Sequence, residues 1–344
     1  MKALLMEEYK KLRYADVPDP QITEGRDILV RVKAAAICGS DVHGFDGSTG
    51  RRKPPVIMGH EAAGDVAAVG GDVRRFKAGD RITFDSTIYC GSCFYCLNGQ
   101  VNLCDHRMVL GVSCDEYRRH GAFAEYVLVP EHICYPLPPS LSYEEAAMTE
   151  PAGVAAHAFR ITPMGLDETV AIVGAGLIGL LLLGFLRAST AGKIIALDTD
   201  SARRESALAR GADAVFDPAD KDLGEKIKEF SGGRGIDRVF EAVGASAPVQ
   251  TALAIVRKGG SVTLIGNVSP KIELPLQSVV TRQISLFGSC AIAGEYPIVL
   301  DLMARKKIDV ESLISKKAPL SEGQIWFDKL YNREDNLLKV VLIP

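Results

Sequence analysis

Tryptophan is almost missing from this chain of 344 residues: Trp326 is the only one, and aromatic residues together make up 7%. Methionine is also sparse, with 7 residues scattered along the sequence, so neither residue type builds the stripe that marks a partner-binding face. A strong charge of one sign is lacking too. The formal net charge is -3, from 40 basic and 43 acidic residues, which removes any electrostatic reason to expect nucleic acid. The opening MKALLMEEYKKLRY carries charges throughout and has no apolar core of the signal-peptide kind, so the expected location is the cytoplasm. One stretch invites a membrane reading, because every residue from Val170 to Leu186 is apolar or glycine. It only reaches the lower limit of a span, about 17 residues, and Gly174, Gly176 and Gly179 break it into strand, turn and helix.

What remains is the composition of a packed globular protein, 47% hydrophobic and 24% charged, with no disordered tail expected. The length exceeds one comfortable core, so two domains are expected.

Cysteine is concentrated. Cys90, Cys93, Cys96 and Cys104 fall within the run CGSCFYCLNGQVNLC, a spacing that lets one lobe wrap four thiolates around a zinc ion. Four sulfurs fill the coordination sphere, so this site is read as structural. Disulfides are the alternative, but cysteines two residues apart close strained loops. Gly91, Asn98 and Gly99 suit tight turns between the ligands. Cys114, Cys134 and Cys290 are read as small buried apolar groups.

The interrupted apolar stretch contains Gly174-Ala175-Gly176-Leu177-Ile178-Gly179, a GxGxxG pattern preceded by a strand over Val170–Val173 and followed by a helix. Gly174 permits the tight turn, Gly176 lets the backbone approach a pyrophosphate, Gly179 packs helix on strand, and the N–H groups at Leu177 and Ile178 open the helix toward phosphate. The next strand, Lys193 to Leu197, ends at Asp198, whose carboxylate suits the ribose hydroxyls and repels a 2′-phosphate. NAD is therefore expected over NADP, with Asp198 as a plain helix cap the alternative and Arg203 a possible acceptor of the extra phosphate. Strands at Asp213–Phe216, Ile236–Val243, Ser261–Ile265 and Ile284–Phe287 would complete a doubly wound parallel sheet.

Before this sheet, Cys38 in AAAICGSD, His60 and Glu61 could converge on a second metal with an open position, the arrangement of a catalytic zinc. Taken singly, each is as well explained by a satisfied core side chain.

Together these pieces resemble the zinc-dependent medium-chain alcohol dehydrogenase family. The resemblance is carried by Cys38-Gly39-Ser40-Asp41-Val42-His43, Gly59-His60-Glu61, the four-cysteine lobe, the Gly174–Gly179 turn and the final Val340-Val341-Leu342, and Thr149-Glu150-Pro151 followed by His157 is similar to its polyol dehydrogenase branch. It implies an α/β protein: a mostly-β, GroES-like catalytic domain formed by 1–152 and 291–344, and a Rossmann domain at 153–290. It implies two zinc ions per subunit, the catalytic one held by Cys38, His60 and Glu150, with Glu61 as exchangeable ligand or partner of the bound water. Asp41 would receive the N–H of His60, and the proton would leave through Ser40, the cofactor ribose and His43. Glu150 has an alternative as a charge complementing a helix N-terminus, and His43 as a surface loop histidine. A homo-oligomer, most often a tetramer, is also implied.

Oxidation of a secondary hydroxyl of a sugar alcohol with NAD is the activity expected. Sorbitol itself fits less well: the aromatic that follows the histidine in sorbitol dehydrogenases is Gly44 here, with Phe45 adjacent, and Gly288–Gly294 contains no arginine. A roomier, glycine-walled pocket is expected. The basic clusters Arg51-Arg52-Lys53 and Arg118-Arg119-His120 keep a phosphorylated polyol, of the galactitol 1-phosphate type, open as a substrate. Threonine dehydrogenase and a non-catalytic nucleotide-binding relative are further alternatives, the last disfavoured because a binding module has no need for a proton exit.

Overall fold

The computed structural model describes residues 1–112, 119–189 and 191–344, and divides into two compact units, Met1–Gly153 with Ala291–Pro344, and Val154–Cys290. Cys114 and Arg118 lie outside the described residues.

The second unit is built on a six-stranded parallel sheet. Along the sheet the strands run Ala214–Phe216, Ile194–Leu197, Val170–Val173, Ile236–Glu241, Val256–Leu264 and Ser285–Gly288, which in chain order reads 3-2-1-4-5-6, the doubly wound order. Val170–Val173 and Ile194–Leu197, adjacent interior strands of the sheet, are buried along their whole length, which is why neither carries a polar residue. The apolar run at 170–186 resolves into the first strand and a helix, Leu177–Arg187, and no helix among the described residues is long and apolar enough to cross a membrane. The fourth strand stops at Glu241 and not Val243, because the buried Glu241 carboxylate accepts from the Val243 and Gly244 N–H groups and turns the chain.

The first unit is mostly β. Its main sheet places Cys134–Pro136, Arg81–Phe84, Glu61–Val69, Asp27–Ala36, Val340–Ile343 and Lys316–Pro319 side by side, with Tyr126–Pro130 also paired to Asp27–Ala36. Alternating residues of Asp27–Ala36 and Glu61–Val69 feed an apolar core that includes Ile28, Val30, Val32, Ala62 and Val66. Two registers meet at one residue: Ala36 pairs with Glu61 on one side and with Val341 on the other, both antiparallel. Three segments far apart in the chain therefore end at the same place.

Candidate functional site

Just beyond Ala36 the chain leaves the sheet, and Cys38 caps the short helix Gly39–Gly44, its sulfur accepting from Ser40 N at 3.5 Å. The neighbouring strand starts at Glu61, so His60 and Glu61 arrive opposite Cys38, and ligand atoms of Cys38, His60 and Glu61 all lie within 4.8 Å of one another. His60 and Glu61 are buried. Glu61 Oε1 and His60 Nδ1 are buried without a hydrogen-bond partner. A thiol, an imidazole and a carboxylate with one unmatched oxygen, converging on one place, fit a divalent zinc-type cation.

Glu150 is not part of that cluster. It occupies the second position of the helix Thr149–Ile161, and its Oε1 accepts from Ser86 Oγ at 3.3 Å. Burial pushes its carboxyl up to about 7; His60 and Lys339 act against this and Glu61 adds to it, so Glu150 shares the field of the cluster without joining it. The carboxylate that the fold brings to Cys38 and His60 is that of Glu61, because the sheet register places it there.

Sequence reading missed Lys339. This lysine is 1% exposed, and its Nζ lies 2.5 Å from Glu61 Oε2 and 2.9 Å from the Ile37 carbonyl. It precedes Val340–Ile343 by one residue, and the antiparallel pairing of Val341 with Ala36 places it beside the chain entering Cys38. Burial would lower its pKa, yet the Glu61 charge and hydrogen bond, with the Cys38 and Glu150 charges, together outweigh it and keep the ammonium protonated. The only sequence signal was a lysine opening an apolar strand.

Asp41 is fully buried and close to His60, with Oδ1 3.4 Å from His60 Nδ1. The same oxygen accepts from Arg52 Nε at 3.1 Å and Nη2 at 2.9 Å. Burial pushes the Asp41 carboxyl upward, but the charges of His60 and Arg52 hold it well below the usual carboxylate range. Ser40 Oγ donates to Cys38 Sγ at 3.3 Å, and His43 is exposed.

Two expectations about the pocket wall change. A Cβ on Gly44 would lie 2.4 Å from Arg52 Cγ, so the arginine stem fills the space that the missing side chain leaves. Phe45 is buried, its ring 5.3 Å from that of Phe327 and 6.0 Å from that of Tyr331, and belongs to the core. Arg52 is likewise no surface cation, and drops out of the basic cluster it forms in sequence with Arg51 and Lys53.

The four cysteines of the lobe also converge, with their sulfurs within 4.8 Å of one another, and all described cysteines are free. Cys90 and Cys96 sulfurs are 4.0 Å apart, near the ~3.8 Å edge of a tetrahedron with Zn–S bonds of about 2.3 Å. The N–H groups of Ser92 and Cys93 point at Cys90 Sγ, and donors led by Ser92 draw that thiol down to about 6. Gly91 and Gly99 turn the chain at φ +74° each.

In the second unit, Gly174 has φ +100°, and a Cβ there would meet Val243 Cγ2 at 2.6 Å. A Cβ on Gly179 would strike the Gly174 carbonyl at 2.0 Å. Gly176 is different: among the described residues, Arg203 Nη1 at 3.9 Å is the only atom within 4 Å of its would-be Cβ, its chain neighbours aside. Protein packing leaves that face bare, which fits the approach of a dinucleotide to the N-terminus of Leu177–Arg187. Asp198 Oδ2 accepts from Ala175 N at 2.9 Å and Oδ1 from Asp200 N at 3.0 Å, tying the end of the second strand to the glycine turn. Arg203 Nη1 is 3.8 Å from Asp198 Oδ2.

Residues 24–139 match the family described as Alcohol dehydrogenase GroES-like domain, and residues 178–305 match Zinc-binding dehydrogenase. The chain belongs to the zinc-dependent medium-chain alcohol dehydrogenases. Within that family it is 37% identical over 340 residues to a D-arabitol-phosphate dehydrogenase of Enterococcus avium, covering 97% of this chain and 94% of the relative. It is 34% identical over 348 residues to a sorbitol dehydrogenase of Bacillus subtilis, covering 100% and 97%. A Sinorhizobium meliloti protein described as a zinc-binding dehydrogenase, solved bound to NADP, superposes with a TM-score of 0.90 at 32% identity over 100% of this chain and 99% of that one. This medium-chain dehydrogenase is thus an oxidoreductase with zinc and a nicotinamide dinucleotide as the cofactors of its family.

Proposed function

We propose that the protein oxidises a secondary hydroxyl of a pentitol or hexitol to the ketose, using NAD and one catalytic zinc at Cys38, His60 and Glu61, with Glu150 available from the Ser86 side. The convergence of those three ligand groups beside the Ser40 hydroxyl carries the reading. Relatives named as sorbitol and arabitol-phosphate dehydrogenases support the substrate class. A second zinc at Cys90, Cys93, Cys96 and Cys104 holds its lobe in shape. The assignment of NAD rests on the Asp198 carboxylate at the end of Ile194–Leu197. Cytoplasmic location and a homo-oligomer belong to the same proposal on family resemblance, and light scattering of the purified protein tests the second.

When bound, the zinc supplies a Lewis acid that lowers the pKa of a substrate hydroxyl, and the nicotinamide supplies the hydride acceptor. The chain's own groups do the rest. Ser40 can accept the hydroxyl proton as its own hydrogen turns from Cys38 Sγ toward the route out, since one oxygen carries a donor and two acceptor sites. His43, exposed and three residues further along the same short helix, is the group that passes the proton to water. Lys339 holds Glu61 by one oxygen and leaves the other facing the cluster. Asp41 orients His60.

A phosphorylated polyol is the second reading, favoured by the 37% identical arabitol-phosphate relative. Arg51 is exposed and Arg119 partly so, but Arg52 is committed to Asp41. NAD reduction measured against free pentitols and hexitols, their phosphates, threonine and simple alcohols separates the readings. Chelator-sensitive turnover of free polyols supports the first, preference for a phosphate ester the second, and silence on every polyol overturns both.

A further inference from the structure

Arg52 stands outside the residues so far given a part in the reaction, yet its guanidinium touches two of them. The stem crosses Gly44, where a Cβ would come within 2.4 Å of Arg52 Cγ, 3.1 Å of its Cβ and 3.4 Å of Thr49 Oγ1. From there the side chain runs inward and is 5% exposed. Nε and Nη2 both reach Asp41 Oδ1, and Nη2 lies 3.3 Å from Ser40 Oγ. The same Asp41 oxygen faces His60 Nδ1, and the same Ser40 oxygen donates to Cys38 Sγ. One rigid cation therefore links the carboxylate behind one candidate metal ligand to the hydroxyl beside another.

Neutralising a buried aspartate explains only half of this arrangement. Any cation placed near Asp41 would offset its burial, and a lysine would do so as a point charge. The contact to Ser40 needs the planar fork. A hydroxyl has one donor and two acceptor sites. With the donor on Cys38 and one acceptor site taken by Arg52, a single site is left for an incoming hydroxyl proton, so the rotor of Ser40 is set before substrate arrives.

We infer that Arg52 is a positioning residue that fixes Ser40 and Asp41 together, and that position 44 is glycine because the arginine stem must pass over it. The two effects are separable: the charge acts through Asp41 and His60 on metal retention, and the fork acts through Ser40 on turnover. The inference rests on the catalytic assignment of Ser40 and of the Cys38, His60 and Glu61 cluster.

The test uses the zinc-loaded full chain and the variants Arg52→Gln, Arg52→Lys and Gly44→Ala. Two readouts are taken: the rate at which a chelator strips zinc, with the Cys90 lobe as an internal reference phase, and kcat and KM with the best substrate of the polyol panel. Arg52→Gln is expected to lose the first zinc about 10- to 100-fold faster, the range for lost outer partners of a metal ligand, and the lobe zinc at the wild-type rate. Arg52→Lys should restore zinc retention to within about threefold while kcat stays at least about tenfold low with little change in KM, as expected for a loss confined to the transition state. Gly44→Ala, which keeps the arginine but displaces its stem, should reproduce the kcat loss without a large change in thermal midpoint. Wild-type kcat in Arg52→Lys or in Gly44→Ala overturns the positioning of Ser40. Wild-type zinc release in Arg52→Gln overturns the link through Asp41. If Arg52→Gln does not fold, the other two variants decide. The zinc-release comparison needs no substrate, so failure of the polyol reading would be seen separately.

Discussion

A lysine ammonium at 1% exposure, 2.5 Å from an equally buried carboxylate, is tolerable only while both charges are present. In the metal-free protein, Lys339→Met would leave the buried Glu61 carboxylate without its lysine, and breaking a buried pair from one side costs about 3–5 kcal/mol. Urea denaturation should show that loss, and Lys339→Arg should recover part of it; a midpoint unchanged in Lys339→Met would mean that Glu61 does not depend on the lysine. A second residue-scale prediction concerns Asp198. Its two oxygens accept from the N–H groups of Ala175 and Asp200, so Asp198→Asn removes the charge while keeping the outline. With the repulsion gone and Arg203 alongside, the ratio of kcat/KM for NADP to that for NAD should rise by at least about tenfold, a change of about 1.4 kcal/mol. An unchanged ratio would take cofactor discrimination away from Asp198. Neither neighbour, Lys339 or Arg203, differs in sequence from an ordinary surface cation; what distinguishes Lys339 is only where its strand lands.

At the scale of elements, the convergence of the four cysteines and the glycine turn were readable because their geometry is local. The four cysteines span one short segment whose turns are supplied by Gly91 and Gly99, and Gly174 needs its φ of +100° whatever the rest of the chain does. Cys104→Ser should therefore remove one zinc per chain by metal analysis and lower the thermal midpoint, since metal binding in such lobes contributes several kcal/mol of folding free energy. Retention of full zinc content would disprove the four-thiolate site. The helix Tyr143–Ala147 shows the same local logic: Ser142 Oγ accepts from Glu145 N at 3.1 Å, and Glu145 Oε2 accepts from Ser142 N at 2.8 Å. Strand ends were less legible. The fourth parallel strand stops at Glu241 because a buried side chain takes over the N–H groups that a longer ladder would have used.

Across the whole molecule, stability and pH are linked through buried acids. Burial pushes the Asp85 carboxyl up to about 8, with the Glu150 and Glu295 charges adding to it, while the Thr87 N–H on its Oδ1 acts the other way. An acid whose folded pKa lies above its unfolded value, about 3.9, costs stability as pH rises through the interval between them, because the unfolded chain releases a proton that the folded one keeps. Asp85→Asn should therefore match the wild type below about pH 4 and become the more stable protein as pH rises toward 8. Thermal midpoints across that range check the sign; a gap that closes with rising pH would refute it.

The sequence by itself determined the cysteine cluster and the glycine turn, because each depends on spacing and backbone conformation within one short stretch, and the parallel βα order, because its apolar strands recur along the chain. Only the tertiary structure decided which carboxylate meets Cys38 and His60. Glu61 is delivered there by the register that pairs it with Ala36, while Glu150 is held toward Ser86, 64 residues away in the chain. Lys339 comes to Glu61 across 278 residues, and the bare face of Gly44 turned out to be filled by the stem of Arg52. Sheet register joins segments that no local pattern relates, and the burial of a charge is set by whatever that register brings beside it.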